Sequence, residues 1–122
     1  MSGTTAGVHF EKTGDDLHMR VYRGKTISFE VIWGGSEPID VTGWKARLQI
    51  RDVDGALMLE MSTDNGKCVA GGADGRFTFS GTPEDSRAVD GCGHWELELT
   101  TPAGEVYRAL SGTVTPVEEI VT

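Results

Sequence analysis

Residues 40–61 carry the clearest alternation of apolar and polar positions in the chain. Through the first half, two interleaved sets alternate: Trp44, Ala46, Leu48 and Ile50 with Lys45, Arg47, Gln49 and Arg51. After a turn at residues 52–55, the period of two resumes with Leu57, Leu59 and Met61. Because successive side chains of a strand point to opposite faces, this pattern predicts a β-hairpin with one apolar and one polar face.

The same period of two recurs along much of the chain. It is strong at residues 27–33, 76–80 and 94–100, and weaker at 17–22, 68–70 and 105–115, with turn signals between these segments. Thr82-Pro83-Glu84-Asp85 instead has the N-cap, first-turn proline and acids of a helix start. The chain is therefore predicted to be an all-β protein. We expect an Ig-like antiparallel β-sandwich of about seven or eight strands, with one short helical turn near residues 83–88.

The length and the N-terminal composition predict one domain with an arm. A chain of 122 residues is long enough for a single core. Residues 1–16 are polar and rich in glycine and threonine, without periodicity, so they are predicted to be a flexible arm that orders on a partner. Residues 17–122 form the predicted β-sandwich domain.

Charge and terminal sequence bear on partners and localisation. Nineteen acidic against eleven basic residues give a formal charge of −8, which disfavours nucleic acid and anionic membranes as partners. The N-terminus has neither the basic nor the apolar region of a signal peptide, so synthesis in the cytoplasm without secretion by a signal peptide is expected. Cys68 and Cys92 could be neighbours in a sandwich, but free thiols are favoured for a reducing compartment.

Few residues are candidates for catalysis or metal binding. The histidines are His9, His18 and His94, and Cys92-Gly93-His94 is the one local pair that invites a catalytic or metal site. A metal site would need a third ligand from His18, Cys68 or a carboxylate, and the sequence spacing does not indicate one. The favoured interpretation is therefore that Cys92 is a half-buried thiol beside the surface imidazole of His94. We therefore predict no catalytic, cofactor-binding or metal-binding residues, and no cofactor.

Three further patterns have simpler structural explanations. Asp52-Val53-Asp54-Gly55 resembles the start of a calcium loop but lacks the later ligands, and a hairpin turn explains it. The glycine-rich residues 71–75 lack the lysine and helix of a phosphate loop. The basic stripe of Lys45, Arg47 and Arg51 is predicted to pair with Glu96 and Glu98 on a neighbouring strand.

A set of short motifs resembles a known layout. In chain order they are RGKTISFEV (residues 23–31), DVTGW (40–44), ARLQIR (46–51), TPED (82–85), HWELEL (94–99) and GEVYRALSGTVT (104–115). The set resembles small β-sandwich virion structural proteins of tailed bacteriophages and prophages. Its layout, over residues 20–117, is similar to the N-terminal domain of phage baseplate upper proteins. Lys25 stands where an acid is common in that layout, and Val41 where leucine is.

The resemblance implies a non-enzymatic virion structural or assembly protein, such as a head, neck or tail/baseplate accessory. Such a protein is made in the host bacterial cytoplasm, resides in the virion, binds other virion proteins and self-associates as a homo-oligomer. The alternative is a carbohydrate- or peptide-binding β-sandwich module. That alternative needs exposed aromatic residues, and Trp33, Trp44 and Trp95 are predicted to face inward, which leaves Tyr22 and Tyr107. A small enzyme using Cys92 and His94 is the third and weakest hypothesis.

Overall fold

The alternating segments form two packed β-sheets in the computed structural model, which describes residues 5–121. In chain order the elements are β1 (Val8–Thr13), β2 (Asp16–Tyr22), β3 (Ile27–Ile32), β4 (Lys45–Asp52), β5 (Leu57–Ser62), β6 (Cys68–Ala70), β7 (Arg76–Gly81), α1 (Pro83–Arg87), β8 (Gly93–Thr100) and β9 (Val106–Val117). The larger sheet has the order β1-β2-β9-β8-β4-β5, and the smaller has the order β3-β7-β6. Neighbouring strands are antiparallel except for β2 and β9, which run parallel. The predicted all-β sandwich with one short helix is confirmed.

The N-terminal arm was predicted wrongly over most of its length. Residues 8–13 form β1, which pairs with β2 from Val8↔Val21 to Thr13↔Asp16. The tight turn at Gly14 has a φ of +61°, a value that glycine adopts without strain. Val8 is buried in the core, so this hairpin is part of the domain, and residues 5–121 form nine strands. Residues 1–4 of the predicted arm lie outside the described residues.

The β4–β5 hairpin is confirmed, with one displacement. Leu48 pairs with Met61 and Ile50 with Leu59, and all four side chains are buried. The register then shifts, which places Leu57 opposite the outward-facing Arg51. Leu57 is consequently 48% exposed instead of joining the apolar face.

Helix α1 ties the smaller sheet to the turn after β2. Thr82 and Asp85 form a reciprocal capping box, which the Thr-Pro-acid sequence had indicated. The buried Ser86 hydroxyl accepts hydrogen bonds from the backbone N–H groups of Gly24 (2.9 Å) and Lys25 (3.1 Å). The helix therefore fixes the end of the molecule at which β2 and β9 terminate.

The core lies between the inner faces of the two sheets. Its largest fully buried side chains are Phe29, Phe77, Phe79, Met19, Ile27, Leu48, Ile50, Met61, Leu97, Leu99, Val21 and Val41. Phe29 and Phe79 stack across β3 and β7 with ring centroids 4.8 Å apart. Toward the C-terminal end of β3 the packing opens into a cleft.

Candidate functional site

An apolar cleft of about 770 Å³ opens between the two sheets at the C-terminal end of β3. The larger sheet and the smaller sheet with its following loop each supply a wall: Phe10, Leu17, Trp95 and Leu110 from the first, and Phe29, Val31, Ile32, Trp33, Gly34, Gly35 and Ile39 from the second. All these side chains are apolar or, at the glycines, absent. The volume is typical of a binding cleft, and among the lining side chains only the indole N–H groups of Trp33 and Trp95 are polar.

The floor of the cleft is a set of interlocked aromatic rings. The Phe10 ring meets those of Phe29 and Trp95 edge to face, with centroids 5.2 and 5.6 Å apart. The Trp95 indole N–H donates to the carbonyl oxygen of Leu17 at 2.9 Å. Because the one polar atom of that indole is bonded within the protein, the floor presents hydrocarbon to the cleft.

Strand β3 borders the cleft with a free edge. It pairs with β7 on one side only. On the other side, Ser28 exchanges backbone hydrogen bonds of 2.8 and 2.9 Å with Ala6. Alternate residues of a strand point their N–H and C=O groups the same way, so Glu30 and Ile32 also point away from β7. Within residues 5–121, no backbone group bonds to them on that side.

A second free edge lies across the cleft on β9. The first half of β9 pairs only with β8, because the pairing of β9 with β2 begins at Val114. A smaller hollow of about 290 Å³ lies in this notch and shares Leu17 and Leu110 with the cleft. Lys12, Asp15 and Arg108 also line it. The cleft thus has an apolar interior, two free strand edges and an adjoining hollow with charged side chains.

The structure brings together three side chains that were not grouped from sequence. On the outer face of the larger sheet, Thr113 Oγ1 lies 2.7 Å from His18 Nδ1 and 2.5 Å from Asp16 Oδ2. Hydrogen bonds from the Thr113 hydroxyl and backbone N–H hold the pKa of Asp16 below its usual value, so this carboxylate is ionised and only accepts. The hydroxyl proton therefore points to Asp16, and Nδ1 of His18 donates to Thr113.

The direction of these two hydrogen bonds determines what chemistry Asp16, His18 and Thr113 can perform. An Nδ1 that carries a proton has no lone pair with which to take one from Thr113, so a nucleophile–base pair is not formed there. The cluster instead links the start of β2 to β9 through charge-assisted hydrogen bonds. It lies on the face opposite the cleft.

The cysteines do not come together. Cys68 is buried on β6 in the smaller sheet, whereas Cys92 is exposed just before β8 in the larger one, and both are free. Burial raises the pKa of the Cys68 thiol to about 12, which suppresses its reactivity. Cys92 is exposed and not half-buried as expected, beside an exposed His94. Among the described residues, no group of three or more His, Cys, Asp or Glu side chains is placed to hold a metal ion.

The basic stripe has the predicted neighbours but different partners. Arg47 does lie opposite Glu98 in the β4–β8 register. Its ion pairs, however, are with Glu60 (3.7 Å) and Asp64 (3.5 Å) on the other side. The predicted pairing with Glu96 is also wrong, because that carboxylate pairs with Arg108 on β9 at 3.2 Å.

The tryptophans pack against the core, and the two tyrosines lie far apart. Trp95 is buried, while Trp33 and Trp44 are partly buried against the core. Tyr22 ends β2 and Tyr107 lies near the start of β9, at opposite ends of the larger sheet. These two tyrosines therefore do not form one platform for a sugar ring.

Sequence reasoning missed the cleft although one signal was present. Val8 and Phe10 already alternate with His9 and Glu11, which is the period of a short strand. Placing Phe10 on a strand would have added an aromatic residue to the inner face. The cleft forms because the two sheets diverge at this end, and no local sequence pattern predicts that divergence.

Within the described part of the chain, no helix has the length and hydrophobicity that crossing a membrane requires. No protein-family model matches the chain, and no curated protein sequence matches it significantly.

Proposed function

We propose that this chain is a non-enzymatic structural or assembly protein of a phage or prophage particle, which binds other virion proteins and self-associates. The observation that carries the proposal is the apolar cleft beside the free edge of β3. The layout of sequence motifs supplies the phage context, and the cleft supplies a surface suited to a protein partner.

The chemistry of the cleft favours a polypeptide as its occupant. An extended segment can add to a free strand edge through backbone hydrogen bonds while its side chains enter an apolar groove. The outward-facing backbone of Glu30 and Ile32 provides the edge, and Phe10, Val31 and Trp33 provide apolar surface. Interfaces combine such an apolar centre with a polar rim, and the hollow that adjoins the cleft is lined by the polar side chains of Lys12, Asp15 and Arg108.

The experiment is to purify induced particles and look for the chain in them. Mass spectrometry should find it in stoichiometric amounts, and the Ile39→Asp variant should be incorporated at least tenfold less. Ile39 lines the cleft yet is 44% exposed, so an aspartate there charges the cleft without disrupting the core. The matched control is Val53→Asp at the β4–β5 turn, which is 74% exposed and outside the cleft.

Absence of the chain from purified particles would overturn the proposal. Equal incorporation of Ile39→Asp and wild type would overturn the role of the cleft. A peptide-binding module is the second candidate, favoured by the same free edge of β3. It predicts a monomer that binds extended peptides and is missing from particles.

A further inference from the structure

We propose that the side chain of Asn65 closes the outer edge of β5 against strands of other molecules, so that β3 and not β5 is available for strand pairing between molecules. Asn65 lies in the turn that connects β5 to β6. The inference goes beyond the proposed function and does not rest on it, because it concerns an edge that the cleft does not include.

Strand β5 is an apolar edge strand and therefore needs protection. It is the last strand of the larger sheet and pairs only with β4. Its six residues, LMLEMS, include one charged side chain, and Leu57 is 48% exposed. An unprotected edge of this composition is a template on which a strand of another chain can pair.

The backbone of β5 directs hydrogen-bonding groups toward this edge. The Thr63 N–H donates to the carbonyl oxygen of Ala46 on β4. Because alternate residues of a strand point their backbone groups the same way, Ser62 and Glu60 point away from β4. The register shift beyond Leu59 disturbs the other end of the edge, which is a common way of blocking strand addition. The regular part of the edge, at Glu60 and Ser62, is where a new strand could pair.

The Asn65 side chain occupies two of the outward groups in this regular part. Its Nδ2 donates to the carbonyl oxygen of Glu60 at 2.9 Å, and its Oδ1 accepts from the N–H of Ser62 at 3.0 Å. A neighbouring strand would use the same C=O and N–H groups for its ladder of hydrogen bonds. The carboxamide of Asn65 therefore stands in the place of a neighbouring strand.

Further hydrogen bonds fix the carboxamide in this position. Its Oδ1 also accepts from the Lys67 N–H at 3.0 Å, and the Asn65 N–H donates to the Ser62 hydroxyl at 3.2 Å. Ser62 is itself buried, so the residue to which Asn65 is bonded cannot move freely. The cap is consequently a fixed part of the fold.

The edge of β3, by contrast, is open. Within residues 5–121, no backbone group bonds to the outward N–H and C=O groups of Glu30 and Ile32. A strand from another molecule can pair with them without displacing such a bond. Pairing with β5 must first break the two bonds that Asn65 makes to the edge, and this cost favours β3.

Amide exchange in the wild-type chain tests whether the cap forms. The N–H groups of Glu60 and Ser62 both point away from β4, and among the described residues only that of Ser62 has a partner on this side, Asn65 Oδ1. In hydrogen exchange followed by NMR on a dilute sample, Ser62 should exchange more slowly than Glu60. Asn65→Ala should abolish this difference. Equally fast exchange of the two amides in wild type would overturn the inference.

Sedimentation tests what the cap prevents. Every variant carries Ile39→Asp, which charges the cleft and suppresses docking there. Asn65→Ala should then lower the concentration at which the chain associates by roughly tenfold, because two backbone groups of β5 become free to bond another chain. The matched control is Asp64→Asn in the same turn, since Asp64 makes only exposed ion pairs, with Lys45 and Arg47.

A compensating charge identifies the edge through which Asn65→Ala associates. Adding Leu57→Lys places a charge on the exposed part of β5 and should restore the monomer, because lysine on an edge strand opposes strand pairing. Far-UV circular dichroism and a thermal melt verify that every variant is folded. Association of Asn65→Ala no stronger than that of Asp64→Asn, or undiminished association after Leu57→Lys, would overturn the inference.

The cap and the proposed function fail in different experiments. An Asn65→Ala variant that does not associate removes the cap but leaves the chain in purified particles. Absence of the chain from particles overturns the proposed function and leaves the exchange difference between Glu60 and Ser62 unchanged.

Discussion

The indole nitrogen of Trp95 donates a 2.9 Å hydrogen bond to the carbonyl oxygen of Leu17, across strand β9. Gly112, the β9 residue opposite Trp95, makes this contact possible. A Cβ atom at Gly112 would stand 1.9 Å from the same carbonyl oxygen. The contact joins β8 to β2 and sets the floor of the cleft.

Replacing Gly112 by alanine should therefore be costly. The new methyl group must push Leu17 away and break the Trp95 hydrogen bond, which together should lower the free energy of unfolding by about 2–3 kcal/mol. Urea denaturation followed by tryptophan fluorescence measures this change. Gly91→Ala is the matched control, because nothing lies within 4 Å of an added Cβ there. Equal stability of Gly112→Ala and wild type would refute the crossing contact.

Ser86→Ala tests the link between α1 and the turn after β2. Ser86 is fully buried, and its hydroxyl accepts from two backbone N–H groups while donating to the Pro83 carbonyl at 2.8 Å. Losing this hydroxyl leaves those groups without their partner, at an expected cost of about 1–3 kcal/mol in chemical denaturation. Ser80→Ala, on an exposed position of β7, should change stability by less than about 0.5 kcal/mol. Similar losses in both variants would contradict the proposed role of Ser86.

The two thiols should differ sharply in reactivity. Cys92 is exposed, whereas Cys68 is buried and has its pKa raised to about 12. At pH 8 a disulfide reagent should therefore modify one thiol per folded chain, and the second only after unfolding. Cys92→Ser should leave the folded protein unreactive. Rapid modification of both thiols in the folded wild type would show that the smaller sheet does not bury Cys68.

Acid should weaken the Asp16–Thr113 link. Hydrogen bonds from Thr113 lower the pKa of Asp16 in the folded state, so this carboxyl stabilises the fold fully above its unfolded pKa of about 3.9. That contribution is lost as the pH falls below this value and through the lower folded pKa. Urea midpoints from pH 7 to pH 2 should thus fall less steeply for Asp16→Asn than for wild type. The control is Asp54→Asn in the exposed β4–β5 turn, and a slope for Asp16→Asn equal to that of the control would contradict the link.

Strands whose two faces differ in polarity could be predicted from the sequence. In β4 and β8 the apolar residues recur at every second position, because one face packs in the core and the other meets solvent. Helix α1 was equally predictable from Thr82 and Pro83, since caps are local. β1 was missed because only Val8 and Phe10 mark it within a polar segment.

Long-range features left no local signal. The parallel pairing of β2 with β9 joins residues as far apart in sequence as Met19 and Val114. The cleft depends on that pairing, because it begins at Met19 and Val114 and so leaves the first half of β9 uncovered beside the start of β2. Trp33 was predicted to face inward, and it does contact the core, but it also forms one wall of the cleft.

The central claim is that the cleft and the free edge of β3 dock another polypeptide in the particle. Hydrogen–deuterium exchange of the β3 peptide, compared between the dilute free chain and purified particles, tests it most directly. In the free chain, the amides of Glu30 and Ile32 should exchange quickly, because they point away from β7. In particles, both amides should become protected. Equal exchange in the two samples would contradict the claim.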